Sequence, residues 1–137
     1  MRRMLAVLAL VASSFVVTSP ASAVPCANVK VVVDFAALGG GVQTGCTSID
    51  PTTGIQALNN AGFPTTFVPR QPGFVCTIKA LPNPCKMPTT SAYWSYWHAT
   101  PGGTWTYSTS GALGYDPAPG TVEGWAFGAG TAPSTAP

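Results

Sequence analysis

The run Tyr93-Trp94-Ser95-Tyr96-Trp97-His98-Ala99-Thr100-Pro101-Gly102-Gly103-Thr104-Trp105-Thr106-Tyr107 limits the folds open to this chain more than any other stretch. It holds three of the four tryptophans, three of the four tyrosines and the single histidine. Two β-favouring flanks around Thr100-Pro101-Gly102-Gly103 predict a β-hairpin with a four-residue turn. Pairing Ala99 with Thr104 sets His98 opposite Trp105 and Tyr96 opposite Tyr107. Period-two alternation then puts Trp94, Tyr96, His98, Trp105 and Tyr107 on one face. Tyr93, Ser95 and Trp97 share the other with Thr104 and Thr106. A slip of one residue would redistribute these sets, but large rings stand on both faces in either register. One face suits a core. The other must meet a second layer, a ligand or water.

The chain begins with Arg2 and Arg3, an apolar run from Met4 to Val17, and Ala21-Ser22-Ala23. A basic start, a short apolar run and a small-x-small site predict a signal peptide over residues 1–23, cut after Ala23. The run is too short for a membrane span, so export leaves no span and the product is expected to be secreted. Residues 24–137 then make one domain. The formal charge of +2 comes from six basic and four acidic residues, and two of the basic ones, Arg2 and Arg3, belong to the leader. Lys30, Arg70, Lys79 and Lys86 balance Asp34, Asp50, Asp116 and Glu123. No basic stripe is left to neutralise phosphates, which speaks against nucleic acid as a partner.

The four cysteines of an exported chain read as two disulfides. Cys26 and Cys46 flank a predicted hairpin, and Cys76 and Cys85 bracket a Pro-rich loop, so two local bridges are expected. Each would stabilise a small core by about 2–4 kcal/mol. A zinc site is not expected, because no C-x-x-C pair occurs and His98 is far from Cys85 in sequence.

Val29 to Phe35 predicts a strand with Val29, Val31, Val33 and Phe35 on one face. Gly39-Gly40-Gly41 breaks it, and Val42 to Cys46 returns antiparallel. Asp50 to Gly62 predicts a short helix: Asp50 or a threonine caps it, Pro51 suits its first turn, Ile55, Leu58 and Ala61 face the sheet, and Gly62 follows its end. Phe63 to Gly73 reads as a Pro-broken connection, Phe74 to Ile78 as a strand, and Val122 to Phe127 as a closing strand with Trp125 and Phe127 on one face. Residues 128–137 carry no large apolar side chain. They are expected to form a disordered tail whose loss leaves stability unchanged. The predicted class is α+β, a small, mostly antiparallel, disulfide-stabilised sheet with one short helix.

Six pieces in order, Val31-Val32-Val33-Asp34-Phe35, Leu38-Gly39-Gly40-Gly41, Thr53-Gly54-Ile55-Gln56-Ala57-Leu58, Ala61-Gly62, Tyr93-Trp94-Ser95-Tyr96-Trp97 and Gly120-Thr121-Val122-Glu123-Gly124-Trp125, resemble small secreted actinobacterial proteins of unassigned function. More distantly, the chain is similar to the family of the transcobalamin and intrinsic factor C-terminal domain. In that family a helix precedes a Tyr-Trp strand and a Val-Glu strand closes the sheet. The resemblance spans roughly residues 29–127, a domain's worth of chain, and implies a transcobalamin-like domain over residues 24–127 with a corrinoid or similar nutrient as ligand.

Tyr93, Trp94, Tyr96, Trp97 and Trp105 are the candidate ligand-binding residues, since flat rings beside Gly-rich loops form stacking platforms. Trp94 and Tyr96 read first as core. For Tyr93 and Trp97, core and platform stay equally open. His98 has no carboxylate close in sequence, and Ser95 projects away from it, so no nucleophile pair is expected. Glu123 is expected to satisfy backbone or tyrosine donors. With no paired carboxylates and no phosphate-binding loop, the chain is expected to be a binding module with no catalytic residues, metal or cofactor. Its partner would be a small molecule; the alternatives are a cell-wall glycan and a structural role towards another extracellular protein.

Overall fold

The computed structural model describes residues 16–17 and 25–137, so the leader expected over residues 1–23 lies, apart from Val16 and Val17, outside the described residues. Strands β1 (Lys30–Asp34), β2 (Val42–Cys46), β5 (Tyr93–Ala99), β6 (Thr106–Tyr107) and β7 (Val122–Gly128) form a sheet in the order β2-β1-β7-β5-β6. A separate ribbon pairs β3 (Thr65–Phe67) with β4 (Val75–Ile78), and one helix, α1 (Gly54–Asn60), precedes it. All pairings are antiparallel except β1 with β7. The fold is thus α+β with a mixed, mostly antiparallel sheet.

The unbroken valine run explains the parallel pair. Val31, Val32 and Val33 are all fully buried, because β1 is covered on both faces. A strand apolar on every residue belongs inside a sheet rather than at its margin. Both expected disulfides form, Cys26–Cys46 with Cα atoms 5.4 Å apart and Cys76–Cys85 at 5.7 Å. The first clamps the β1–β2 hairpin, where Lys30 pairs with Cys46.

Helix α1 is short because its signals are tight. The Thr53 hydroxyl accepts from the Gln56 amide at 3.0 Å, and the Gln56 side chain reaches back to the Thr52 amide at 2.7 Å. This reciprocal arrangement is a capping box displaced by one residue. Pro51 lies before the cap and outside the helix, not in its first turn. Ile55, Ala57 and Leu58 pack into the core with Val29, Val31, Val33, Phe35, Trp94, Tyr96 and Trp125.

Three expectations are corrected. The connection from Phe63 to Gly73 contains β3, a strand too short to show a period and hidden between Pro64 and Pro69. The aromatic hairpin is one residue out of the expected register, since Trp97 pairs with Tyr107 and His98 with Thr106. Its loop widens to run from Thr100 to Trp105, and the Trp105 ring lies against Gly124, where it leaves no room for a Cβ. Residues 129–137 are not a disordered tail. They turn back at Gly128 and pack on the sheet, with Pro133 buried. The turn-back works through main-chain hydrogen bonds, which a residue-by-residue search for apolar bulk does not register.

Candidate functional site

Register decides which rings are core. Trp94 and Tyr96 are buried on the helix side of the sheet. Trp94 meets Phe35 and Phe127 edge-on, both at 5.3 Å, and Tyr96 stacks on Trp125 at 4.5 Å. The slip moves Trp105 and Tyr107 to the opposite face, where they join Tyr93, Ser95 and Trp97. Trp97 is only 9 % exposed there. Its indole donates to Ser95 Oγ at 2.8 Å, and that hydroxyl donates to the Ala126 carbonyl at 2.9 Å. Tyr107 stands edge-on to Trp97 at 4.9 Å and shares a 3.1 Å hydroxyl contact with Tyr93.

The second layer over this face is the chain's own C-terminal segment. The Ser134 amide donates to Asp34 Oδ2 at 2.7 Å, the Trp105 indole donates to the Thr135 carbonyl at 2.7 Å, and the Gly102 amide donates to the Pro137 carbonyl at 3.1 Å. Burial pushes the Asp34 carboxyl up, but the hydrogen bonds from Ser134 and Ala36 outweigh it and hold the group below its ordinary value.

Strand pairing also builds a polar chain that spacing in sequence could not reveal. His98 lies opposite Glu123 in the β5–β7 ladder. Fully buried Glu123 accepts from the Tyr96 hydroxyl and sits 3.0 Å from His98 Nδ1. His98 Nε2 lies 2.7 Å from Ser108 Oγ, and the imidazole stacks on Tyr115 at 3.8 Å. The expected role of Glu123 as acceptor for a tyrosine holds. Burial first, then the Glu123 carboxylate, raises the Tyr96 phenol far above its usual range and raises Tyr115 as well.

Ser108, His98 and Glu123 stand in the order of an acyl-transfer triad. Ser108 Oγ lies 2.7 Å from both His98 Nε2 and the Ser110 carbonyl, so its proton is shared between an imidazole and a backbone acceptor. The chain of groups ties β5, β7 and the Ser108–Ser110 turn together.

Two adjoining recesses open beside this network. The first, about 330 Å³, lies between the disulfide-closed Pro-rich loop and the sheet, with Pro82, Pro84, Met87, Trp94 and Phe127 in its wall. The second, about 300 Å³, is walled by Phe74, Tyr96, Ser108, Ser110 and Trp125. Val75, Tyr93 and Trp94 belong to both. Trp125 is 2 % exposed, and its indole nitrogen has no hydrogen-bond partner among the described residues. Of the five candidate residues, Tyr93 and Trp94 line both recesses and Tyr96 lines the second, whereas Trp97 and Trp105 line neither. Sequence reasoning missed Phe74, Met87, Ser108 and Trp125. The signal available in the sequence was an apolar Met87 in the Pro-rich stretch Pro84-Cys85-Lys86-Met87-Pro88; the structure leaves its side chain 64 % exposed.

Among the described residues no group of three or more His, Cys, Asp or Glu could hold a metal ion, and no helix is long and apolar enough to cross a membrane. Fold and site define a small two-disulfide α+β domain with paired recesses at one side of its sheet. A family model described as SCO2322-like domain matches residues 86–137. The match takes in β5, β6, β7, the His98–Ser108–Glu123 chain and the C-terminal segment, and leaves out β1, β2 and α1. No curated protein and no solved structure matches the chain.

Proposed function

We propose that this chain is an exported binding module that holds a small amphipathic molecule in the paired recesses beside Trp94. The observation that carries the reading is the pair of adjoining recesses, which share Val75, Tyr93 and Trp94 and together offer an apolar and a polar wall. Pro82, Pro84, Met87 and Phe127 suit the apolar part of such a ligand, and Ser108 and Ser110 its polar end. Apolar walls with a few convergent polar groups are the usual make-up of small-molecule sites, here at the small end of the range. The two disulfides support an oxidising, extracytoplasmic location.

The resemblance read from the Tyr93–Trp97 and Gly120–Trp125 stretches makes a corrinoid or similar nutrient the ligand class to test first. Recesses of this size would admit a side chain or an edge of such a molecule rather than its whole ring system. Equilibrium dialysis against a corrinoid and against cell-wall glycan fragments tests the reading. The expected result is saturable corrinoid uptake, abolished by Met87→Asp in a still-folded protein. Uptake of glycan alone would move the protein to the glycan-binding alternative, and uptake of neither would end the proposal.

A further inference from the structure

The face opposite the helix is built like a peptide site that is already filled. Its central strand offers only Gly124, Ala126 and Gly128, which pair with Trp97, Ser95 and Tyr93 of β5, and the Trp105 ring lies over Gly124. Trp97, Trp105, Tyr107 and Tyr93 are the large rings of this face. The segment held on it is Ala129-Gly130-Thr131-Ala132-Pro133-Ser134-Thr135-Ala136-Pro137, which has no helix or strand of its own and contacts Tyr93, Trp105 and Asp34. Extended Pro-containing segments dock on aromatic-lined grooves because their backbone is stiff before binding and little order is lost.

We propose that this aromatic face is a binding surface for an extended Pro-, Ala- and Thr-rich segment of another extracellular polypeptide, and that residues 129–137 occupy it in cis. Three observations carry this. The bonds from Asp34, Trp105 and Gly102 all reach main-chain atoms of the segment, so a foreign chain with suitably placed prolines can make the same bonds. An indole N–H donating to a carbonyl beside a proline-bearing stretch is the recognition chemistry of such grooves. The segment leaves the sheet between Gly128, with φ of 145°, and Gly130, with φ of 82°, a pair of backbone states that favour glycine and form a natural hinge. A tethered occupant competes at an effective concentration in the millimolar range. A foreign segment therefore gains access by multivalent presentation or by a better fit than the cis copy.

The test uses the full chain with its cis contact weakened by Pro133→Gly, and a synthetic peptide of residues 129–137 supplied in trans. The Trp105 indole N–H resonance reports occupancy. The expected result is saturable binding, about tenfold tighter than to the unaltered chain, and lost again when Trp105→Phe is added. A folded Pro133→Gly protein that ignores the peptide at millimolar concentration overturns the proposal. Should Pro133→Gly fail to fold, hydrogen exchange on the unaltered chain decides. A separable occupant requires the Ser134 amide to exchange faster than the amides of β7, and equal rates overturn the proposal.

Discussion

The two faces of the β2-β1-β7-β5-β6 sheet are closed by different means. The helix side is closed by bulk: Phe35, Leu58, Trp94, Tyr96 and Trp125 interlock with the valines of β1. The far side also presents large rings, but what is laid against it is a stretch of Ala, Thr, Ser and Pro held through its main-chain atoms, with Tyr107 left 46 % exposed. The first closure draws on burial of apolar area. The second draws on a few hydrogen bonds, each contributing about 0.5–1.5 kcal/mol net. A face sealed by bulk opens only when the domain unfolds, whereas one sealed by a short bonded segment can open by itself.

That contrast orders the mutational effects. Trp94→Ala removes an aromatic from the bulk-sealed side and should cost about 3–5 kcal/mol in chemical denaturation, as core aromatic truncations do. His98→Ala should come next, at about 3 kcal/mol, because it leaves the buried Glu123 carboxylate without its partner. A loss below 1 kcal/mol would show that the Tyr96 hydroxyl alone satisfies Glu123. Gly124→Ala puts a methyl into the Trp105 ring. An overpacking cost of about 1–3 kcal/mol is expected, with the disturbance reported by the Trp105 indole resonance rather than by Trp94.

The bulk-sealed face was legible and the bonded one was not. Val29, Val31, Val33 and Phe35 announce their side by period two, and the stretch from Asp50 to Gly62 announces a short helix, which the structure caps with Thr53. The two disulfides follow from which cysteines bracket hairpins. The far face required register. A single-residue slip transfers Trp105 and Tyr107 between faces, and nothing in Thr100-Pro101-Gly102-Gly103 distinguishes a four-residue turn from the longer loop that forms. His98 and Glu123 lie far apart in sequence and meet only because β5 pairs with β7. The small residues at 124, 126 and 128, alternating with Glu123, Trp125 and Phe127, leave room on that face, which the Trp105 ring takes at Gly124.

Smaller effects sharpen the comparison further. Trp105→Phe keeps a ring over Gly124 but removes the donor to the Thr135 carbonyl, so about 1 kcal/mol should be lost. Asp34 gives a pH signature confined to the bonded face. Its folded-state pKa is depressed, so its contribution is fully present above the unfolded value near ~4 and is lost as pH falls through the folded value below it. Acid should therefore loosen the segment's hold, and Asp34→Asn should abolish that dependence, as followed by the Ser134 amide.

The most direct measurement is removal of residues 129–137, followed by thermal unfolding and acrylamide quenching of tryptophan fluorescence. If the segment is the second layer, the melting temperature falls by about 4–8 °C for each kcal/mol lost. Trp97 and Trp105 become quenchable, while Trp94 and Trp125 stay protected. An unchanged melting temperature with unchanged quenching would contradict the account and return these residues to a tail that seals nothing.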